Sequence, residues 1–169
     1  MSVLRAFISM GSNVDREHHF RGAARALQEA FGAVMFSPVY ETGAVGFDGD
    51  PFFNAVAAFD TAEPAEIIVE ALKRIEDEHG RVRGVARFSD RTLDLDLLLL
   101  GDQVVEGPGY ALPRDEIVHN AFVLRPLADL APDLVHPQLG TTMRCLWEVF
   151  DLDGQWLKAI EFCWDDALA

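Results

Sequence analysis

Two strand–helix–strand units follow one another in this sequence, and a diacid strand alternating at period two closes the second. Together they predict an α+β fold with a ferredoxin-like β-α-β-β-α-β core. Turn signals and short apolar runs after that core predict an added hairpin and short C-terminal helices. The chain has 169 residues, half of them hydrophobic. That length suits one domain, residues 1–169, with a core of its own.

Local signals place each element. Val3 to Met10 is apolar and β-prone, and Gly11-Ser12-Asn13 reads as the turn that ends it. Phe20, Ala23, Ala24, Leu27 and Ala30 recur at helical spacing, with Gly32 as the stop. His18 and His19 are adjacent rather than three or four apart, so they are expected in solvent and not as a metal pair. Ala33 to Tyr40 reads as the second strand and Phe52 to Phe59 as the third. The glycine-rich stretch between them, Glu41 to Pro51, lacks the lysine and the following helix of a phosphate loop. It reads as a lid over a site or as an ordinary long connection. Thr61 reads as a cap, with Pro64 in the first helical turn. Ile67, Ile68, Ala71, Leu72 and Ile75 make one helix face, Gly80 follows the helix, and Glu70, Glu76 and Glu78 are by default solvated.

The stretch from Arg91 to Leu100 is the centre of the sequence. Thr92, Asp94 and Asp96 point to one side of a strand, and Leu93, Leu95, Leu97 and Leu99 to the other. The two carboxylates stand roughly 6–7 Å apart. At an effective dielectric near 20 they repel by roughly 3 kcal/mol. A bound cation, nearby arginines or a raised pKa would offset that. Arginines are close in sequence: six of the fourteen basic residues lie between Lys73 and Arg91, four of them in the loop from Arg81 to Arg91. Positive charge beside paired aspartates suits a metal-bound polyphosphate.

After Leu100, Gly101-Asp102-Gln103 is a turn, and Val104-Val105 before Gly107-Pro108-Gly109 predicts a hairpin. Asn120 to Pro132 predicts a short helix with Pro126 in its first turn. The tail from Thr141 carries Trp147, Trp156 and Trp164 and is expected to pack on the rest. The net charge of −14 argues against nucleic-acid binding. Cys145 and Cys163 have no metal or redox spacing, which suits a reducing cytoplasm. No apolar run suits a signal peptide or a membrane span.

Gly80-Arg81-Val82-Arg83 followed by Arg91-Thr92-Leu93-Asp94-Leu95-Asp96 closely resembles the 6-hydroxymethyl-7,8-dihydropterin pyrophosphokinase family of folate biosynthesis. The resemblance runs from Val3 to about Pro137. It implies transfer of pyrophosphate from ATP to the pterin hydroxymethyl group, giving AMP and the pterin diphosphate. It implies catalytic roles for Arg81, Arg91, Asp94 and Asp96, with two Mg2+ ions on the two aspartates. Thr42, Ala44, Val45, Phe52, Asn54 and Phe122 match positions that hold the pterin, and Phe88 matches an aromatic that swings over it. Glu76, Arg83, Arg87, Arg91, Leu97 and Arg114 match positions at the nucleotide. The partners so implied are two small molecules, ATP and the pterin, with no nucleic acid or membrane, acting on a monomer. The pattern departs at Arg114 and Asn120, where the family usually has histidine and arginine, and at Gly109, Ala111 and Asp115. Those departures leave open a paralogue acting on a related pterin, or a pterin-binding module with weakened catalysis.

Overall fold

The computed structural model describes residues 2–44, 49–80 and 92–164. The elements are β1 (Leu4–Ser12), α1 (Arg16–Phe31), β2 (Met35–Phe36), β3 (Val39–Thr42), β4 (Phe52–Thr61), α2 (Ala65–Glu78), β5 (Asp94–Leu100), β6 (Val105–Gly107), β7 (Tyr110–Leu112), α3 (Ala121–Leu130), α4 (Met143–Glu148) and β8 (Leu157–Ile160). The main sheet runs β5-β1-β4-β3-β8, with β2 also paired to β4. All its ladders are antiparallel. With β2 and β3 taken together, the fourth core strand lies beside the first, then the third, then the second. This is the ferredoxin-like order, as expected. β6 and β7 form the hairpin.

The sheet is buried on both faces, which is why β4 reads as an almost unbroken apolar run. Phe53, Ala55, Ala57 and Phe59 pack with Ile8, Met10 and Leu95 beneath Phe20 and Leu27 of α1 and Ile68 and Leu72 of α2. On the other face Phe7, Val56, Ala58 and Leu98 meet Val123, Leu124 and Leu127 of α3. The layers are therefore helix, sheet, helix.

Several boundaries differ from expectation for identifiable reasons. β1 continues through Gly11 to Ser12, because the whole stretch is held in ladders to β4 and, as far as Gly11, to β5. The second strand is broken in two at Ser37-Pro38. Proline has no N–H for the ladder, and Ser37 Oγ accepts from the Val56 N–H at 2.8 Å. Thr61 ends β4 rather than capping α2, whose N-cap is Pro64. Ile67 is 44% exposed, outside the buried α2 face. Leu99 was expected beside Leu97, but a register shift opposite Phe7 and Ile8 puts Leu98 and Leu99 together in the α3 cluster. Pro126 lies inside α3 and not in its first turn. His19 is not simply solvated: its Nδ1 lies 2.7 Å from His79 Nδ1, joining the start of α1 to the end of α2.

The tail is a structural part of the sheet. β8 pairs with β3 from Val39↔Ile160 to Thr42↔Leu157. Beyond it Trp164 stacks on Phe36 at 4.3 Å between centroids, and Phe162 meets Phe20 and Phe53 edge-on. Trp164→Ala is expected to lower unfolding free energy by about 2 kcal/mol, from lost apolar area and ring contact. Urea unfolding followed by circular dichroism measures it, and an unchanged midpoint would contradict this packing role.

Candidate active site

Strand register brings residues far apart in sequence into one row. Tyr40 of β3 lies opposite Asn54 of β4, Asn54 opposite Gly11 of β1, and Gly11 opposite Asp94 of β5. Directly opposed residues share a face, so Asn54 and Asp94 project from the α3 side of the sheet. Asp96 follows in the next row, opposite Ser9. Asn54 and Asp94 are separated by the width of two strand spacings, roughly 10 Å. Gly11 lies between them and contributes no side chain. A Cβ there would stand 3.2 Å from Asn54 Oδ1 and 3.8 Å from the Phe52 ring.

At one end of the row is a polar, ring-lined corner. Asn54 is 5% exposed and its Nδ2 donates to Thr42 Oγ1 at 2.6 Å. That bond fixes which way the amide points. Phe52 is half-buried on the same face, and Ala44 is half-buried just past the end of β3. Phe122, the second residue of α3, is half-buried against the cluster that joins α3 to this face. The structure thus gathers Thr42, Phe52 and Asn54 on one face and Phe122 on the helix covering that face.

At the other end is the acid pair. β5 is the outer strand, and its free edge faces a cleft of about 150 Å³. Asp94, Asp96 and Leu97 line it, with Lys73 and Glu76 of α2, Gly109 and Tyr110 of the hairpin, and Arg114. Glu76 is buried, not solvated, and its Oε2 accepts the edge N–H of Leu95 at 2.8 Å. It therefore supplies the partner that this edge N–H needs. Arg114 continues the edge: its N–H donates to the Leu98 carbonyl at 2.9 Å. Its guanidinium lies 3.6 Å from Asp96 Oδ1 and 2.8 Å from Glu116. The Asp96 carboxyl is pushed up to about 8, first by burial in the cleft and next by the charge of Asp94; Arg114 opposes the rise, and Glu116 and Glu76 add to it.

This donor set fits Mg2+ delivered with a polyphosphate. Mg2+ takes one or two carboxylates and completes its shell with phosphate oxygens and water, and Asp94 and Asp96 provide that many. Among the described residues no group of three or more histidine, cysteine or acidic side chains is arranged to hold an ion alone. Val45, Arg81, Arg83, Arg87, Phe88 and Arg91 lie outside the described residues, as does part of the expected lid.

Three features escaped sequence reasoning. Gly11 lies within β1, between Asn54 and Asp94, and not in a turn. Arg16 and Asn13 hold the far end of the glycine-rich stretch, donating to the Pro51 carbonyl at 3.1 Å and the Asp50 carbonyl at 3.1 Å, while Arg16 also pairs with Glu41 at 2.8 Å. Trp156 of the tail lies against Gly43, where a Cβ would come within 2.7 Å of its indole nitrogen. A long-range contact of this kind has no local pattern to announce it.

Residues 7–132 match the family model of 7,8-dihydro-6-hydroxymethylpterin-pyrophosphokinase (HPPK). The chain is 40% identical over 142 residues to 2-amino-4-hydroxy-6-hydroxymethyldihydropteridine pyrophosphokinase of Pseudomonas aeruginosa, covering 80% of this chain and 85% of that one. It is 33% identical over 139 residues to the enzyme of the same name from Haemophilus influenzae, covering 80% and 86%. The fold is similar to the crystal structure of Plasmodium falciparum HPPK-DHPS with pteroate, at a TM-score of 0.68 and 14% identity. That match covers 87% of this chain and 42% of the longer one. Through its sequence match and the fold that carries it, the chain belongs to the 7,8-dihydro-6-hydroxymethylpterin-pyrophosphokinase family.

Proposed function

We propose that this enzyme transfers the pyrophosphoryl group of ATP to the hydroxymethyl oxygen of 6-hydroxymethyl-7,8-dihydropterin across the floor made by Gly11. The carrying observation is the single row that sets Asn54 and Asp94 on one face with only a glycine between them. The pterin occupies the Thr42, Ala44 and Asn54 corner, between the rings of Phe52 and Phe122, and Val45 is assigned to it by its match to the family pattern. Ring faces on both sides of a flat heterocycle give large contact with defined geometry, and the oriented Asn54 amide reads its hydrogen-bonding edge. ATP occupies the cleft at the β5 edge, along Glu76, Leu97 and Arg114.

The hydroxymethyl oxygen attacks the β-phosphorus in line, and the bond from that phosphorus to the α–β bridging oxygen breaks. AMP leaves with that oxygen, and the proton of the hydroxyl is released. Asp94 and Asp96 would hold two Mg2+ ions, which would supply charge neutralisation along the polyphosphate. Arg114, 3.6 Å from Asp96 Oδ1 in the same cleft, is assigned to phosphate charge. Arg81, Arg83, Arg87 and Arg91 are assigned to the remaining phosphate charge by their match to the family pattern. Positioning and electrostatics then account for the rate without a dedicated base. The protein works on two small molecules as a monomer in the cytoplasm, in folate biosynthesis. Among the described residues no helix is long and apolar enough to cross a membrane.

Asp94→Asn and Asp96→Asn are each expected to lower kcat by at least about a hundredfold, since each removes charge stabilisation from the transferring group. Pterin binding without metal should be nearly unchanged in both. Incubation with ATP, Mg2+ and the pterin should yield AMP. Formation of ADP, or near-normal turnover in both variants, would refute the assignment.

The raised Asp96 carboxyl gives a pH test. In the metal-free protein its folded pKa, about 8, lies above its ordinary value of 3.8. The folded state therefore holds the proton more tightly than the unfolded state does. Its contribution to stability is complete below about pH 4 and is lost as the pH rises through about 8. Metal binding must displace that proton, so stabilisation by Mg2+ with a non-hydrolysable ATP analogue should grow from pH 6 to pH 9. Thermal unfolding with and without ligand measures it, and the pH slope should shrink in Asp96→Asn. An equal slope in the variant would contradict the assignment to Asp96.

A further inference from the structure

We infer that Tyr40 is a positioning residue for the pterin, acting through α3 to fix the direction of Phe122. The inference rests on the reading that Asn54 and Phe122 hold the pterin. Tyr40 is 7% exposed and directly opposite Asn54, two residues before Thr42. Its hydroxyl donates to Asp129 Oδ2 and accepts from Arg125 Nε at 3.1 Å. Arg125 and Asp129 are themselves paired at 3.2 Å, one helical turn apart. The guanidinium also lies over the rings of Tyr40 and Trp147, at 5.8 and 5.3 Å.

Phe122, Arg125 and Asp129 fall at i, i+3 and i+7 and so share one stripe of α3. A tether on the last two sets the rotation of the helix and hence the direction of the first. The helix needs that tether. Pro126 lies inside α3, and without an N–H it cannot close the helical bond onto the Phe122 carbonyl. The turn that carries Phe122 is therefore held less by its own ladder and more by what the stripe touches. Hydrogen bonds between a buried phenol and a charged pair are the strong kind. They tie β3, which carries Thr42, to the helix that carries the facing ring. Phenylalanine at position 40 would fill the same space and leave the tether unmade.

Tyr40→Phe tests this with pterin fluorescence titration and steady-state kinetics on both substrates. The pterin Kd and KM should rise about tenfold, with KM for ATP unchanged within about twofold. Asp129→Ala should behave alike, and the double variant should be no weaker than the worse single, as for residues acting as a unit. Unchanged pterin affinity in folded Tyr40→Phe would overturn the inference. So would equal rises in both KM values, the mark of a general structural loss, or additive effects in the double variant. If Tyr40→Phe does not fold, Asp129→Ala is read by the same criteria. Asn54→Ala separates the two levels. Normal pterin binding in that variant overturns the pterin site itself, whereas binding lost there and kept in Tyr40→Phe overturns only the tether.

Discussion

The burial of Asp96 beside a second acid, Asp94, is the constraint around which the cleft at the β5 edge is arranged. Both carboxylates leave one face of β5, the outer strand of the sheet, and look into a cleft. Burial and mutual charge push the Asp96 carboxyl up to about 8. Arg114 at 3.6 Å relieves part of this, but Glu116 and Glu76 restore negative charge nearby. Two acids placed this way would suit a divalent cation carried in with phosphates. The strand itself is firmly built: Leu95 and Leu97 are buried beneath the helices, and the Leu95 N–H is taken by Glu76.

The sheet brings two chemically different groups of residues together. Antiparallel pairing puts an amide corner and a diacid edge in the same row, with strand spacing setting their separation. The helices α1 and α2 cover the other face, with Lys73 and Glu76 of α2 reaching the cleft at the β5 edge, and α3 covers the face that carries Asn54 and Asp94. Residues after the family match, which ends at 132, still shape this region. β8 extends β3, and Trp156 lies against Gly43 at the start of the glycine-rich stretch.

Much of this was legible in the sequence where signals are local. Period-two alternation found β5 and both acids, and the repeated strand–helix–strand order found the core. The Arg114 position, a departure from the usual histidine, could be named but not located until Arg114 N was seen bonded to Leu98 O. What failed to show was set by contacts distant in sequence. The register shift that turns Leu99 depends on β1, the His19–His79 contact on the packing of α1 beside α2, and the burial of Glu76 on an edge N–H nineteen residues away. Gly11 looked like a turn because glycine followed by serine and asparagine has that meaning in isolation. Its neighbours across two strands give it another.

The most direct measurement is a crystal structure of the protein with Mg2+, a non-hydrolysable ATP analogue and 6-hydroxymethylpterin. The account predicts divalent density joining Asp94 and Asp96 to the polyphosphate, with the pterin against Asn54. Nucleotide bound in the cleft with both carboxylates free of metal would contradict it.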